Sequence, residues 1–224
     1  GVRDISDKQK RTFVLFLSSH SCHSPARPNP NSLRFSPRYT TIGNWKQKGN
    51  DVVWNGETYT WSKHHEFLKF VDLPRRCPRA RFELCLNVDD PADRALLAGN
   101  GWTLSSPLAM SLDPFGYQGF FQRSRAEWTV AKDQNVRLRS GWFSERDACY
   151  LASGKPVIAQ STGFEKFLPS GEGLFAFRTF EDVIAAVDVI ESDYPKACRA
   201  ARAVAGETLE ATAVCRRLLG EIGL

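Results

Sequence analysis

The chain has 224 residues, of which 42% are hydrophobic and 25% charged, so it can bury one substantial core with at most a small appendage. It is too short for two full nucleotide-binding-sized domains, and no apolar run approaches the length of a membrane span. The formal net charge of +5 is spread along the chain, without zinc-finger spacing, an RNP-like aromatic strand or a basic helix. These features argue against a membrane span and against nucleic acid as a partner.

The cysteines and histidines give little sign of a disulfide framework or a metal site. No CxxC pair occurs among the six cysteines, which are Cys22, Cys77, Cys85, Cys149, Cys198 and Cys215. This usage is typical of reduced thiols in a cytoplasmic protein. The histidines occur as His20 with His23 and as His64 with His65, and neither pair has a partner group at ligand spacing. We therefore expect no metal site.

The first part of the chain is irregular in pattern. A charged start and the apolar run 13–17 lead into the Pro/Asn/Ser-rich stretch 24–32, which cannot continue a helix or a central strand. We interpret residues 1–38 as an irregular amino-terminal segment or the remnant of a preceding domain. A single domain is then expected over residues 39–224.

Beyond residue 38, strand and helix patterns alternate. Short β-branched and aromatic runs predict strands at 39–42, 82–86, 127–130, 156–159 and 174–177. Helical spacing and capping residues predict helices from Asp89 to Leu97, from Ser144 to Ser153, from Phe180 to Ile190, from Ala197 to Ala205 and from Leu209 to Leu219. The alternation predicts an α/β domain with a mainly parallel sheet flanked by helices, whose ligand lies beyond the carboxyl ends of the strands.

Four further features of the sequence refine this outline: a helix cap, a helix stop, a helix break and a hairpin. Thr179 is the expected cap of the helix that starts at Phe180, and Pro195 is its expected stop. Gly206 is expected to break the last two helices apart. The stretch Trp54–Trp61 surrounds an Asn-Gly pair, which predicts a hairpin with core contacts, so Trp61 is not assigned to a site.

The segment 139–158 carries the clearest candidate for a phosphate site. Ser144 and Asp147 have the spacing of a capping box, and Gly154 suits the end of the helix. The start of such a helix presents free N–H groups and a partial positive charge, with Lys132, Arg137, Arg139 and Arg146 close by in sequence. Alternatively, Ser144 only caps a structural helix and the arginines are solvated.

Two further loops follow predicted strands. In the turn 160–165, Gly163 would let the main chain approach a ligand, and the hydroxyls of Ser161 and Thr162 could donate hydrogen bonds. The loop 43–49 offers backbone donors and two lysines. The alternative is that both loops contain these residues for turn geometry alone.

Taken together, these segments resemble the donor half of the GT-B glycosyltransferases. From Trp142 to Phe177, the run Trp-Phe-Ser-Glu-Arg-Asp-Ala-Cys-Tyr-Leu-Ala-Ser-Gly-Lys-Pro-Val-Ile is followed by Ser-Thr-Gly-Phe and then by Pro-Ser-Gly-Glu-Gly-Leu. The run from Ile42-Gly43 to Lys48-Gly49 is similar to the first strand and loop of that domain, where a lysine commonly reaches the donor diphosphate. The resemblance implies a Rossmann-like domain that binds a nucleotide diphosphate sugar.

The sequence departs from the family at the ribose ligand. Many retaining members carry two glutamates eight residues apart, and counting back from Pro156 places Gly141 and Cys149 there. Ser140–Ser144 instead resembles the His-Cys-Gly-Trp-Asn-Ser run of plant-type inverting members, with Arg139 at the histidine position. On that count Asp147 takes the acidic role, since a carboxylate can accept hydrogen bonds from both ribose hydroxyls.

The resemblance implies a glycosyltransferase whose acceptor-binding half, with the general base, belongs to another domain or chain. The acceptor itself is unknown. The resemblance requires no cofactor besides the donor substrate and no metal, and the catalytic residues stay unassigned. The alternative is a non-catalytic nucleotide-binding or protein-interaction module derived from such a domain. The residues expected at the donor are Gly43, Asn44, Lys48, Lys132, Arg139, Gly141, Trp142, Ser144, Arg146, Asp147, Ser161, Thr162, Gly163 and Phe164.

Overall fold

The computed structural model describes residues 37–223, with the side chain of Ala109 left out. The predictions made for residues 1–38 therefore fall outside the described residues, apart from the last two positions. The same holds for Cys22, His20 and His23.

A six-stranded parallel sheet forms the centre of the domain. The strands are β1 (Arg38–Gly43), β2 (Val52–Trp54), β3 (Glu57–Tyr59), β4 (Arg81–Leu86), β5 (Thr103–Ser105), β6 (Ala126–Thr129), β7 (Val157–Gln160) and β8 (Leu174–Phe177). The large sheet has the order β5-β4-β1-β6-β7-β8, and all its pairs are parallel, whereas β2 and β3 form an antiparallel hairpin. The predicted α/β class with a mainly parallel sheet is confirmed, and each of the five predicted strands is found within one residue of its expected bounds.

Helices connect the strands and cover both faces of the sheet. They are α1 (His64–Lys69), α2 (Leu73–Arg76), α3 (Pro91–Gly99), α4 (Leu108–Ser111), α5 (Pro114–Arg123), α6 (Asp133–Arg137), α7 (Glu145–Ala152), α8 (Phe180–Ser192), α9 (Tyr194–Thr208) and α10 (Ala211–Glu221), with a 3₁₀ turn at Phe164–Lys166. A parallel sheet needs cover on both faces because its central strands are apolar on both. One core packs around Phe82 and Trp128, and the other packs around Tyr150 and Val157.

The order of the strands reverses between β1 and β6. The chain runs outward from β1 to β4 and β5, and then returns to place β6 on the other side of β1. In open parallel sheets, the connections diverge at such a switch point and leave a crevice beyond the carboxyl ends of the strands. The loops after β1 and β6 therefore border the position where a ligand is expected.

Two details of the last helices differ from the sequence prediction. Gly206 does not break a helix but lies inside α9, because buried Ala201 and Val204 hold that helix on the sheet and outweigh the roughly 1 kcal/mol that a helical glycine costs. Pro195 lies in the first turn of α9, where its missing N–H is not needed, and Asp193 caps that helix. The proline therefore starts the next helix as well as following the end of α8.

The hairpin around Asn-Gly is present, but most of it is not core. Asn55 and Gly56 have φ values of 51° and 77°, as a tight hairpin turn requires. Trp54 is 59% exposed, whereas Tyr59 is buried. The expected core contacts are thus made from one end of the hairpin only.

Gly173 allows the closest helix–sheet approach that we find. It immediately precedes β8, and a Cβ atom built there would overlap the main chain of α9 at Ala200 and Ala201. The backbone of a helix cannot move aside as a flexible side chain can. The second glycine of the Gly-Glu-Gly-Leu turn is therefore explained by packing.

We expect Gly173→Ala to lower the free energy of unfolding by at least about 2 kcal/mol, because strand and helix must separate to admit the methyl group. Gly206→Ala is the matched control. Gly206 lies in α9, the helix that Gly173 contacts, and has open space around it, so the substitution should raise stability by about 0.5–1 kcal/mol. Urea denaturation of both variants measures the difference. Equal effects would show that the contact at Gly173 is not tight in solution.

Candidate functional site

The loops that follow β6 and β7 interlock at the edge of the sheet. The Gly141 amide donates to the carbonyl oxygen of Thr162 over 2.9 Å, and the Thr162 hydroxyl donates to the carbonyl oxygen of Trp142 over 2.5 Å. Gly163 has a φ of 94°, and a Cβ atom there would lie 3.3 Å from the Arg139 carbonyl oxygen. Five predicted site residues are thus brought together, but the Thr162 hydroxyl is used in holding the loops.

Arg139 is fixed by a carboxylate at the surface of these loops. Its φ of 47° is unusual for a residue other than glycine. Its guanidinium lies 3.2 Å from Glu165, which also accepts from the Ser161 hydroxyl over 2.7 Å and from Arg178 over 2.9 Å. Ser161 and Arg139 therefore share one acceptor, and Ser161 is buried.

The start of α7 has the capping box that its sequence predicts. The Ser144 hydroxyl accepts from the Arg146 amide over 3.3 Å, and the Asp147 carboxylate accepts from the Ser144 amide over 3.3 Å. Ser144 and Asp147 are both buried. Two of the free N–H groups at this helix end are thus satisfied within the protein.

The side chain of Arg146 points inward and joins the two strands at the switch point. Its guanidinium donates to Glu127 over 2.6 Å, to the carbonyl oxygen of Ile42 over 2.8 Å and to the Thr129 hydroxyl over 2.9 Å. The side chain is only 13% exposed. The alternative in which the arginines are solvated is therefore wrong for Arg146.

Glu127 and Asp147 form a buried acidic pair beside this guanidinium. Burial, together with the charge of Asp147, raises the pKa of Glu127 to about 8, although Arg146 opposes the shift. Burial likewise raises the pKa of Asp147. Glu127 Oε2 and Asp147 Oδ1 receive no hydrogen bond from any donor in the described part of the chain. One guanidinium cannot neutralise two carboxylates, so the pair retains a proton more readily than isolated carboxyl groups do.

Two lysines lie at the mouth of the crevice, each on the face of a tryptophan. The Lys63 ammonium is 4.9 Å from the centre of the Trp142 ring, and the Lys132 ammonium is 2.9 Å from that of Trp61. Burial lowers the pKa of Lys63 to about 7, with a further contribution from the charge of Arg146, and burial lowers the pKa of Lys132 to about 8.

Sequence reasoning missed three residues of this arrangement. Glu127 could have been noticed as a carboxylate inside an otherwise apolar strand, which signals a buried charge partner. Trp61 was assigned to the hairpin although it contacts Lys132. No pattern in the sequence marks Lys63, which the long connection after β1 brings to Trp142.

Several predicted residues lie apart from the crevice. Asn44 and Lys48 are exposed, and Lys48 forms no ion pair with residues 37–223. In the same loop, Lys46 is the lysine that binds carboxylates, at 2.7 Å from Asp93. Phe164, by contrast, lines the crevice, where it is buried and packs on Phe143. Gly43 ends β1 beside the Arg146 guanidinium.

The crevice itself is narrow in this structure. It leaves essentially no volume for a water molecule and is lined by Thr129, Val130, Ala131, Trp142, Asp147, Ala159, Gln160 and Phe164. In the part of the chain that the structure describes, no group of three or more His, Cys, Asp or Glu side chains could hold a metal ion. Across the same residues, no helix combines the length and apolarity that crossing a membrane requires.

The acidic pair makes stability depend on pH in a defined direction. Because the pKa of Glu127 lies above its ordinary value of 4.5, the folded state binds more protons than the unfolded state between about pH 5 and 7. The free energy of unfolding should fall as pH rises through this window, by at most about 1.4 kcal/mol per pH unit. The lowered pKa of Lys63 acts in the opposite sense, but only above about pH 7.

Glu127→Gln should flatten this dependence, because an amide keeps an acceptor for Arg146 but does not titrate. Glu191→Gln is the control, since Arg125 and Tyr39 hold the pKa of Glu191 below its ordinary value and its titration lies outside the window. Urea denaturation at pH 5, 6 and 7 gives the slopes. Parallel slopes for the wild type and Glu127→Gln would contradict the assignment.

Comparison with known proteins identifies the fold. No protein-family model matches the sequence, and no curated protein matches it at a significant level. The crystal structure of TarM matches with a TM-score of 0.53 and 12% identity, over 87% of this chain and 36% of that chain. The crystal structure of the GtfA/B complex matches with a TM-score of 0.48 and 13% identity, over 86% of this chain and 37% of that chain.

This chain spans little more than a third of the length of either matched chain. At this identity, the likeness to TarM speaks for the fold alone. The described part of the chain is therefore an α/β domain whose fold is similar to that of the part of TarM that it matches.

Proposed function

We propose that this domain binds a nucleotide diphosphate sugar at the switch point between β1 and β6, as the donor half of a glycosyltransferase. The observation that carries the proposal is the pair of lysines at the crevice. Lys63 and Lys132 are partly buried, and neither forms an ion pair with a carboxylate in the described residues. Each packs on a tryptophan instead.

Such a pair is unfavourable without an anion. The charge of Lys132 contributes to the lowered pKa of Lys63, so the two ammonium groups act on each other. Asp147 and Glu127 favour the charged form of Lys63 but do not offset the cost of burying it, whereas a diphosphate placed between the two lysines would favour both ammonium groups. A purely structural role would pair these lysines with carboxylates, as Lys46 is paired with Asp93.

The surrounding residues would position the donor. The loop Arg139–Ser144 and the turn at Gly163 present main chain at the edge of the sheet, and the start of α7 adds the partial positive charge of its helix. Trp61 and Trp142 offer flat apolar faces to a base or a sugar ring. Asp147 remains the proposed ribose ligand, since its carboxylate lines the crevice and Oδ1 receives no hydrogen bond there from the described residues.

The proposed chemistry is transfer of the sugar to an acceptor hydroxyl. As the glycosidic bond breaks, negative charge develops on the leaving diphosphate, and ammonium groups in a partly dry crevice stabilise it. In this proposal Arg146 is a positioning residue, because its guanidinium is occupied by Glu127 and the end of β1. The acceptor and its general base would come from another domain or chain.

The binding assignment is tested by calorimetric titration of the full chain with uridine diphosphate and other nucleoside diphosphates. Lys63→Gln and Lys132→Gln should each weaken binding about 10-fold or more, because each removes a charge-assisted contact. Lys196→Gln is the matched control, since this lysine lies on α9, away from the crevice, and pairs with Glu172. Failure of the folded chain to bind any nucleoside diphosphate, or equal losses in all three variants, would overturn the proposal.

Binding should also take up protons near pH 8. The pKa values of Lys63 and Lys132 are lowered to about 7 and 8, and a bound diphosphate raises them by favouring the ammonium form. Affinity should therefore increase as pH falls from 9 to 7. Titrations in buffers of different ionisation enthalpy count the protons, and a buffer-independent heat would contradict this mechanism.

The helix start can be separated from ordinary capping because the chain has two capping boxes. Ser144→Ala and Thr179→Ala each remove a hydroxyl cap and should each cost about 1 kcal/mol of stability. Only Ser144→Ala should also weaken nucleoside diphosphate binding, since α8 starts after β8, away from the switch point. Thermal melts and titrations of both variants measure the contrast. Unchanged affinity in Ser144→Ala would show that this helix start only caps.

A further inference from the structure

A second pocket lies at the opposite edge of the sheet, where three strands begin. Arg38 starts β1, Arg81 starts β4 and Thr103 starts β5, and all three line the pocket. It has a volume of about 380 Å³, which is within the range of small-molecule sites. A six-residue strand spans about 20 Å, so this pocket is separate from the crevice at the switch point.

Arginine side chains dominate the charge around this pocket. The segment from Leu73 to Phe82 contains four arginines. Arg76 binds Asp72 over 2.7 Å and Arg79 binds Asp188 over 2.8 Å, and neither lines the pocket. Arg75 and Arg81 do line it, and neither pairs with a carboxylate in residues 37–223.

The arginines that line the pocket have few polar partners, so some of their N–H donors are free. Arg75 donates to the carbonyl oxygen of Gly99, at the end of α3, over 2.5 Å. A guanidinium has five N–H donors, so most of them are available to another acceptor. Arg38, which also lines the pocket, lies 3.6 Å from the carboxylate of Glu83, which accepts from the Ser105 hydroxyl over 2.7 Å. Arg81 has no such partner in the described chain.

The other walls of the pocket are apolar. Pro74 and Pro78 border it, and Ala80 and Phe82 are buried at its base. A ligand that fills this space would therefore meet rigid hydrocarbon on one side and guanidinium groups on the other. Guanidinium groups recognise phosphate and carboxylate through paired hydrogen bonds.

The adjoining part of this chain is a poor occupant for such a site. The pocket lies next to Pro37, the first described residue, through Arg38. Residues 1–36 contain six Lys or Arg against two Asp. A segment with excess positive charge is repelled by an arginine cluster, so the charge favours an anion from outside the chain.

We propose that this pocket is a second ligand site, for a small phosphate monoester with an apolar group. The phosphate would bind Arg75 and Arg81, and the apolar group would rest against Pro74 and Pro78. The proposal is independent of the donor site, because it involves the opposite edge of the sheet and none of the same residues.

Phenyl phosphate is the probe, titrated into the full chain by calorimetry, with inorganic phosphate and phenol beside it. Phenyl phosphate should bind more tightly than either fragment. Arg75→Gln and Arg81→Gln should each weaken it about 10-fold or more, as expected for loss of a charge-assisted contact. Arg79→Gln makes the same change of charge in the same segment outside the pocket, and Lys63→Gln alters the crevice, so both should bind within about 2-fold of the wild type.

Three results would overturn this inference. The first is no binding of phenyl phosphate to the folded wild type at 20 mM. The second is an equal loss in Arg79→Gln and Arg81→Gln, which would indicate a diffuse field and not a site. The third is loss of binding in Lys63→Gln, which would place the probe at the crevice. Thermal melts check that each variant is folded.

Discussion

The inward-pointing guanidinium of Arg146 is the interaction on which the site depends. It binds the last part of β1 through the Ile42 carbonyl oxygen, and it binds β6 through Glu127 and Thr129. The two strands pair over only two residues, at Tyr39 with Ala126 and Thr40 with Glu127. Beyond that short ladder, side chains join the two strands, since the Thr41 hydroxyl also contacts Glu127 and Thr129 at 3.4 and 3.3 Å. The arginine adds to these contacts and fixes the start of α7 relative to both strands.

A buried charge of this kind constrains everything around it. Glu127 is fully buried, so without Arg146 its carboxylate would have no compensating charge. Asp147 adds a second acid next to it because the capping box of α7 requires an acceptor for the Ser144 amide. The positive charge of Lys63 acts on this acidic pair and partly opposes the upward shift that burial gives the pKa of Asp147. Fold and electrostatics at the crevice are thus set by the same few groups.

The sequence predicted what local patterns determine. Apolar runs gave the five main strands, and the spacing of Ser144 to Asp147 and of Thr179 to Asp182 marked two helix starts. It predicted less where tertiary contacts decide, as at Gly206, which packing keeps helical, and at β5, a three-residue edge strand. At the site, the sequence predicted which loops lie close together but not where their side chains point. The direction of Arg146 and the approach of Lys63 depend on β1 lying beside β6, which no local pattern shows.

In the two proposals, the two ends of the sheet would bind anions through different groups. In a parallel α/β fold, helices run back against the strands, so their amino ends lie at the carboxyl edge of the sheet and their carboxyl ends at the opposite edge. At the switch point, the start of α7 carries a partial positive charge, and the two lysines add their ammonium groups to it. At the other edge, the end of α3 presents carbonyl oxygens such as that of Gly99, whose partial charge is negative. Arg75 donates to this carbonyl oxygen, so it needs further N–H donors to bind an anion as well. A guanidinium has five N–H donors and can make both contacts, whereas an ammonium group has only three donors. This difference gives a physical reason for Arg75 and Arg81 at one proposed site and for Lys63 and Lys132 at the other.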